Sequence, residues 1–304
     1  MNNIKKKAIR DIIWKGIELL VKVSSLLPMK FNIKLGGIIG GISFLVLRKP
    51  KKNSLNNIKL ALDNVKTEKE RKRIAKESFK NLGRSLFEVL HSCRINEKNI
   101  DDIITLKGEE YLKKERQNGK GIILIGGHVG NWELIVIALS LRGYKIKVVA
   151  APIYDKRISD LIVRLRSHHN IETIIRGSRS AARQILSCLR NKEILAFLID
   201  QDIPKVDGVF VNFFNKRCFT PSAPASIALK TNSKVMMAFT YREKEIYRHK
   251  VIIHKPIQLI KTGNLKEDIV SNTGIFSEFI EKYIRLFPEQ WVWMHNRWKR
   301  STIA

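Results

Sequence analysis

The sequence predicts an α/β protein in which a mostly parallel β-sheet is flanked by helices and preceded by an N-terminal membrane-anchoring helical segment. Two observations support this fold class. After Gly119, short apolar runs alternate with longer helical patterns, which is typical of parallel β-α-β units. Before that point, residues 1–50 combine apolar stretches with basic flanks. We expect an anchor at residues 1–50 and a folded domain at residues 51–304.

The predicted sheet rests on five apolar runs of strand length, at Gly121–Ile125, Ile146–Ala150, Thr173–Ile175, Ile194–Ile199 and Val235–Tyr241. Helical patterns separate most of them, at residues 131–142, 155–168, 178–191 and 221–231, and another helical stretch covers residues 53–94. Parallel connections of this kind bring the carboxyl ends of the strands to one edge, where ligands commonly bind.

The N-terminal segment predicts two helices separated by Pro28. Residues 9–27 are amphipathic, and Leu35–Leu47 is an uncharged stretch of 13 residues, shorter than the roughly 20 that span a bilayer. Extending this stretch back to Phe31 leaves a short or tilted span open. Four glycines at 36, 37, 40 and 41 favour close helix approach in lipid. The alternatives are a cleaved signal peptide, which lacks its usual cleavage site here, and a basic helix packed on the protein itself.

The charge balance predicts an anionic partner. The chain has 57 Lys and Arg against 28 Asp and Glu, a formal charge of +29. Nucleic acid, an anionic membrane surface and an acidic carrier protein all fit that charge. No helix-turn-helix, zinc-finger or RNA-binding aromatic motif is visible, so we expect no nucleic acid. The three cysteines form no cluster with metal-ligand spacing, and we expect no metal or other cofactor.

The candidate catalytic residues are His128 and Glu133. His128 follows a predicted buried strand through Gly126 and Gly127, and Asn131 is a suitable N-cap for the next helix. With a bend at Gly130, the Glu133 carboxylate is expected to bind one imidazole nitrogen while the other accepts a proton from a hydroxyl. No Ser or Cys lies in a nucleophile elbow, which favours direct attack by an acceptor alcohol on a thioester. The alternative is a structural histidine near a helix-start acid.

The segment His128-Val-Gly-Asn-Trp-Glu133 resembles the His-x-x-x-x-Asp/Glu motif of the lysophospholipid acyltransferase superfamily, in particular its lipid A biosynthesis lauroyl/myristoyl acyltransferase branch. Later blocks resemble the same branch in the same order, at residues 174–176, 200–202, 208–214, 220–225 and 290–299. The resemblance spans essentially the whole chain. It implies a glycerolipid acyltransferase-like fold, with His128 as general base, Glu133 as its partner and residues 51–304 as the catalytic domain.

The resemblance also implies binding residues around the histidine. Arg176, and Arg166 as a second candidate, would face an acceptor phosphate or the developing oxyanion. Asp200 and Asp202 follow a predicted strand and reach the same edge, with loop capping as the alternative. Four residues, Val209, Phe210, Phe213 and Phe214, with Val211 between them, are candidates for an acyl groove. Trp291, Trp293 and Trp298 form either an interfacial belt or internal packing, and His295 and Arg297 are structural or acceptor-facing.

The leading functional hypothesis is transfer of a fatty acyl group from acyl carrier protein to a hydroxyl of a lipid A precursor. The partners are then acyl carrier protein, an anionic glycolipid acceptor and the membrane surface, at the cytoplasmic face of the bacterial inner membrane. A second hypothesis is acylation of another glycolipid or a lysophospholipid, from acyl carrier protein or acyl-CoA. A third is a non-catalytic basic protein that binds nucleic acid or a membrane.

Overall fold

The computed structural model describes residues 3–204 and 206–300. Its strands are β1 (Ile104–Lys107), β2 (Ile122–Gly126), β3 (Ile146–Ala150), β4 (Ile171–Ile175), β5 (Ile194–Leu198), β6 (Gly208–Phe213), β7 (Lys216–Pro221), β8 (Lys234–Arg242) and β9 (His249–Ile253). Seven strands form one sheet in the order β1-β9-β8-β2-β5-β3-β4, in which only β8 and β9 are antiparallel neighbours. The fold class predicted from the sequence is confirmed.

Helices cover both faces of this sheet. They are α1 (Asn3–Leu26), α2 (Met29–Val46), α3 (Arg48–Leu62), α4 (Glu68–Leu90), α5 (Ile100–Ile103), α6 (Glu109–Gln117), α7 (Glu133–Leu141), α8 (Lys156–His168), α9 (Ala181–Arg190), α10 (Ala223–Thr231) and α11 (Leu265–Leu286). The apolar helix α7 packs into a buried cluster on one face of the sheet. On the other face α10 and α11 pack with β6, β7 and the C-terminal tryptophans.

All five predicted strands are present as β2, β3, β4, β5 and β8, and the four predicted helices after residue 130 are present as α7 to α10. The sequence prediction missed β1, β9 and the separate hairpin of β6 and β7. The hairpin pairs Gly208 with Pro221 and Phe213 with Lys216, apart from the main sheet. Its turn uses Phe214 and Asn215 at positive φ, which is uncommon for a phenylalanine.

The N-terminal helices form as predicted, with Pro28 between α1 and α2. The glycines of α2 allow this helix to pack closely against α4 within the protein. A Cβ at Gly36 would lie 2.5 Å from the Gly83 carbonyl oxygen, and one at Gly40 would lie 2.3 Å from that of Phe79. Helix α2 is also the one candidate membrane span among the described residues, with 18 residues, a mean hydropathy of 1.3 and 33% of them buried.

Candidate active site

His128 lies directly after β2, in a loop that turns sharply before α7. A Cβ at Gly127 would lie 3.1 Å from Asp200 Oδ2, so the residue before the histidine needs to be small. Gly130 has a φ of +62°, and a Cβ there would lie 2.4 Å from the Thr240 carbonyl oxygen. These glycines hold His128 at the carboxyl edge of the sheet, and Gly130 supplies the bend that the sequence predicted.

The imidazole of His128 binds a carboxylate, which belongs to Asp200. His128 Nδ1 and Asp200 Oδ1 are 2.6 Å apart, and the His128 backbone N–H donates to Oδ2 at 2.7 Å. The indole Nε1 of Trp291 donates to the same Oδ2 at 2.7 Å. The Asp200 side chain is completely buried, so these protein donors fix its orientation.

The pKa of Asp200 follows from these contacts. Burial by itself would raise the pKa, but the neighbouring imidazole and the hydrogen bonds from His128 and Trp291 lower it to about 2. The carboxylate is therefore ionised at neutral pH, and the proton in its bond to His128 lies on Nδ1. Nε2 then carries the lone pair, and it has no hydrogen-bond partner among the residues that the structure describes.

Glu133 lies in the first turn of α7, but its carboxylate binds Arg166. Arg166 Nε donates to Oε2 at 2.9 Å and Nη2 donates to Oε1 at 2.6 Å, a bidentate pair with both side chains 12% exposed. The predicted contact between Glu133 and His128 is wrong. The bend at Gly130 does bring both residues to one cavity. The Glu133 carboxylate, however, binds Arg166 of α8, and the His128 imidazole binds Asp200.

Asn131 does not cap α7, contrary to the prediction, since Trp132 is at the N-cap position and no side chain caps this helix. Its amide instead donates to Glu88 Oε2 at 2.9 Å. Glu88 is fully buried and also binds Arg242, at 2.8 Å, and His249, at 2.9 Å. Burial opposes the charge, yet the guanidinium holds the pKa of Glu88 well below its usual range. The sequence reasoning missed this group; the signal was an acid within the apolar run at residues 86–90.

The C-terminal block holds the histidine loop from the other side. The Gly130 N–H donates to the Gln290 carbonyl at 2.9 Å, and the Val292 N–H donates to the His128 carbonyl at 3.3 Å. The three tryptophans of this block, Trp291, Trp293 and Trp298, are at most 2% exposed. They therefore pack internally, and the alternative of an interfacial belt is wrong.

Asp202 is tied into the same C-terminal packing. Its Oδ1 accepts a hydrogen bond from Arg300 Nε at 2.6 Å, and its backbone carbonyl lies 3.1 Å from His295 Nε2. Arg297 is fully buried and donates to Thr220 Oγ1 at 2.6 Å. His295 and Arg297 therefore have the structural role that was one of the two alternatives. Protein donors bind both buried carboxylates. The acceptor-facing role of Asp200 and Asp202 stays a prediction.

A largely apolar cavity of about 300 Å³ lies beside His128. Its polar lining comes from His128, Glu133, Arg166, Arg176 and Gln201. Its apolar lining includes Val136, Val148, Val149, Ile185, Ala196, Phe197, Ile199, Pro224 and Ile227. An apolar cavity with a few convergent polar groups is the usual form of a site for a small or flexible ligand.

Arg176 is brought to this cavity as predicted. Its backbone N–H donates to the Ala150 carbonyl at 2.8 Å, which fixes the residue at the end of β4. Burial lowers the pKa of its guanidinium below the ordinary value for arginine. Within residues 3–204 and 206–300, Arg176 has no ion-pair partner, whereas Arg166 is neutralised by Glu133.

The predicted acyl-groove residues do not line the cavity. Phe213 and Phe214 are buried against the C-terminal tryptophans, and Phe210 packs edge-on against Phe219 within the hairpin, beside Val209. The predicted groove at Val209, Phe210, Phe213 and Phe214 is therefore not at this cavity, whereas Pro221 of the same hairpin does line it.

The described part of the chain contains no group of three or more His, Cys, Asp or Glu side chains that could hold a metal ion. Cys188 and Cys218 are buried, which raises the pKa of each thiol, to about 12 and about 11. None of the three cysteines is among the residues that line the cavity beside His128.

The family model for bacterial lipid A biosynthesis acyltransferases matches residues 5–300. The chain belongs to this family. It is 21% identical to a lipid A biosynthesis lauroyltransferase of Escherichia coli over 292 residues, covering 94% of this chain and 90% of the relative. It is 23% identical to an E. coli lipid A biosynthesis palmitoleoyltransferase over 279 residues, covering 91% and 88%. A phosphatidylinositol mannoside acyltransferase of Mycobacterium tuberculosis is 22% identical over 225 residues, covering 73% and 69%.

Membership of the bacterial lipid A biosynthesis acyltransferase family establishes acyl transfer as the chemistry of this chain. Transfer to a hydroxyl needs a proton acceptor and a place for an acyl chain. The cavity beside His128 combines an imidazole with a largely apolar lining.

Proposed function

We propose that this lipid A acyltransferase moves a fatty acyl group from an acyl carrier protein thioester to a hydroxyl of a lipid A precursor, with His128 as general base. The observation that carries the proposal is the His128–Asp200 pair at an apolar cavity that Arg166 and Arg176 also line. A positioned base, cationic groups and an apolar slot are what acyl transfer to an alcohol requires.

The proposed reaction has two steps. His128 Nε2 removes the proton of the acceptor hydroxyl as its oxygen attacks the thioester carbonyl carbon, and Asp200 stabilises the resulting imidazolium through Nδ1. The tetrahedral intermediate then loses the carbon–sulfur bond, and the thiolate takes the proton from Nε2. No acyl-enzyme forms, and the histidine ends as it began.

Arg176 is the residue that we assign to binding the anionic groups of this reaction. Its guanidinium lines the cavity without an ion-pair partner among the described residues, so it is suited to a developing oxyanion or an acceptor phosphate. We assign Arg166 and Glu133 a shared role: the carboxylate fixes the guanidinium on the cavity wall. Glu133 then acts through Arg166 as a positioning residue.

The N-terminal residues 1–50 are proposed to hold the catalytic domain, residues 51–304, on the cytoplasmic face of the bacterial inner membrane. One face of α2 packs on α4, while the apolar residues Phe31, Ile38, Ile42 and Leu45 are exposed. Because α4 already covers the other face, we favour a helix lying in the membrane surface over one that spans it. Asp11 of α1 pairs with Arg157 of α8 at 2.9 Å, and the same helix α8 contributes Arg166 to the cavity lining.

The test uses purified protein, acylated acyl carrier protein and a lipid A precursor with a free hydroxyl. We expect the wild type to transfer the acyl group and His128→Ala to lose about 10²–10⁴-fold in rate. His168→Ala, at an exposed histidine on α8, is the matched control and should keep the wild-type rate. A His128→Ala protein as active as the control would contradict the proposal.

A second candidate acceptor is another glycolipid, which is favoured by the similarity to the phosphatidylinositol mannoside acyltransferase. The same assay run with a phosphatidylinositol mannoside, a lysophospholipid and the lipid A precursor distinguishes these acceptors. Replacing acyl carrier protein by acyl-CoA tests the donor. Faster transfer to a non-lipid A acceptor would favour the second candidate and leave the role of His128 intact.

A further inference from the structure

Two neighbouring strands of the main sheet separate beside the cavity. Strands β3 and β5 pair at Ile146–Val148 and Ile194–Ala196, and their pairing ends at Val148 and Ala196. Beyond that point β5 stays paired with β2 as far as Leu198, and β3 stays paired with β4 as far as Ala150. The sheet therefore opens as a wedge between β3 and β5, with its narrow end at Val148 and Ala196.

The cavity passes through this wedge. Its lining includes three consecutive residues of each strand, 148–150 of β3 and 196–198 of β5. Successive side chains of a strand point to opposite faces of a sheet, so a cavity on one face would touch only every second residue. Val148, Val149 and Ala150 are also only half-buried, although β3 is an interior strand.

His128 lies at the wide end of the wedge, and apolar side chains of β3 and β5 line its narrow end. His128 follows the carboxyl end of β2, whose last residue, Gly126, pairs with Leu198. Ala196 is two residues further in, which is about 7 Å along a parallel strand. Val136 of α7 lines the cavity from one face of the sheet, and Ile185 and Ile227 line it from the other. The wedge is thus an apolar slot that is closed at Val148 and Ala196 and open toward the imidazole of His128.

We propose that the acyl chain enters this wedge, that its terminal methyl stops at Val148 and Ala196, and that these two residues set the preferred acyl chain length. This inference rests on the proposed function. Ala196 has the smaller side chain of the two, so a larger residue at this position would make the slot shorter. Each methylene that leaves water strengthens binding by roughly four-fold. A chain longer than the slot leaves carbons in water or overpacks the core.

The experiment compares kcat/KM over a series of saturated acyl chains of increasing length on acyl carrier protein. Ala196→Leu fills the narrow end, and we expect the preferred chain to shorten by about two to four carbons, with a loss of ~10-fold or more for the longest chain that the wild type accepts. Val148→Ala deepens the slot and should shift the preference to longer chains. If the leucine variant does not fold, Ala196→Val adds a smaller side chain at the same position and tests the same prediction.

The matched control is Phe210→Leu, which changes an apolar side chain of the β6–β7 hairpin that does not line the cavity. Its chain-length profile should equal that of the wild type. Folded Ala196→Leu or Ala196→Val with the wild-type profile would overturn this inference alone. A wild type that transfers no acyl group from any thioester would instead overturn the proposed function.

Discussion

At the residue scale, Asp200 holds His128 at two points. One carboxylate oxygen accepts the Nδ1 proton and the other accepts the histidine's own backbone N–H. The Trp291 indole fixes the carboxylate in turn. Two bonds to one residue restrict both the rotation of the imidazole and its tautomer, so Nε2 is presented to the cavity before any substrate arrives.

Asp200→Asn should reduce kcat by about 10²–10⁴-fold with a small change in KM, because an amide does not hold the imidazole in the required tautomer or stabilise the imidazolium. Steady-state kinetics with acyl carrier protein thioesters measure this. Asp202→Asn is the control, since Asp202 binds Arg300 outside the cavity and its kcat should stay near that of the wild type. Equal losses in the two variants would mean that Asp200 has only a structural role.

The low pKa of Asp200 also predicts a pH dependence of stability. Its folded-state pKa, about 2, lies below the ordinary value of 3.8, so the ionised carboxylate stabilises the fold above about pH 4 and loses this effect as the pH falls through 2. The contribution is about 2 kcal/mol. The difference in unfolding free energy between wild type and Asp200→Asn, measured with denaturant, should shrink as the pH falls from about 4 toward 2. A difference that stays constant over that range would contradict the assignment.

The Glu133–Arg166 pair predicts a non-additive double-mutant cycle. Each single alanine variant leaves a partly buried charge without its partner, so each should lower kcat/KM, and the double variant should lose less than the sum. The coupling energy should be about 1–3 kcal/mol. If Glu133 instead acted directly on His128, Glu133→Gln would cost more kcat than Asp200→Asn, and the cycle with Arg166 would be additive.

The sequence identified His128 but not the carboxylate that binds it. Glu133 is five residues from His128, whereas Asp200 is 72 residues away, and the two meet only because β2 and β5 are neighbours in the sheet. Their carboxyl ends lie at one edge, so the sequence did place Asp200 there. Which carboxylate faces the imidazole depends on side-chain packing, which local spacing does not encode.

At the element scale, the contact between α2 and α4 depends on glycine at both helices. Gly36 and Gly40 of α2 meet the backbone of α4 at Phe79 and Gly83. The sequence predicted close helix approach at these glycines but placed the contact in lipid. Strands that are long, buried apolar runs were predicted correctly from the sequence. Strand β1 has only four residues, and the antiparallel strand β9 mixes polar and apolar residues, so neither was recognised.

Gly40→Ala should lower the free energy of unfolding by about 1–3 kcal/mol, since its Cβ would overlap the Phe79 carbonyl and force the two helices apart. Gly41→Ala is the matched control on the same helix. Its Cβ would lie 3.7 Å from the nearest atom, in the Lys80 side chain, and alanine favours a helix. Thermal unfolding should show a lower Tm for the first variant and an equal or higher one for the second. The reverse order would contradict the packing described.

At the scale of the whole molecule, the proposed membrane contact combines the apolar faces of α1 and α2 with the formal charge of +29. Exposed side chains on these helices include Ile12, Ile13, Leu19, Phe31, Ile38 and Ile42. Burial of apolar side chains in the bilayer contributes binding free energy that salt does not screen. The attraction between lysines and anionic lipid weakens as the salt concentration rises. Binding to a bilayer should therefore have one salt-sensitive part and one salt-resistant part.

Vesicle flotation separates the two parts. We expect the wild type to bind phosphatidylglycerol vesicles more tightly than phosphatidylcholine vesicles, with the difference disappearing at high salt. Replacing both Ile38 and Ile42 by Asn should weaken the remaining high-salt binding at least ~10-fold, because burying each isoleucine contributes about 1.5–3 kcal/mol. The control replaces Val65 and Leu265, which are exposed on other elements, and should bind like the wild type. If the α2 variant also binds like the wild type at high salt, α2 does not face the membrane, and the anchoring contact has to lie on α1.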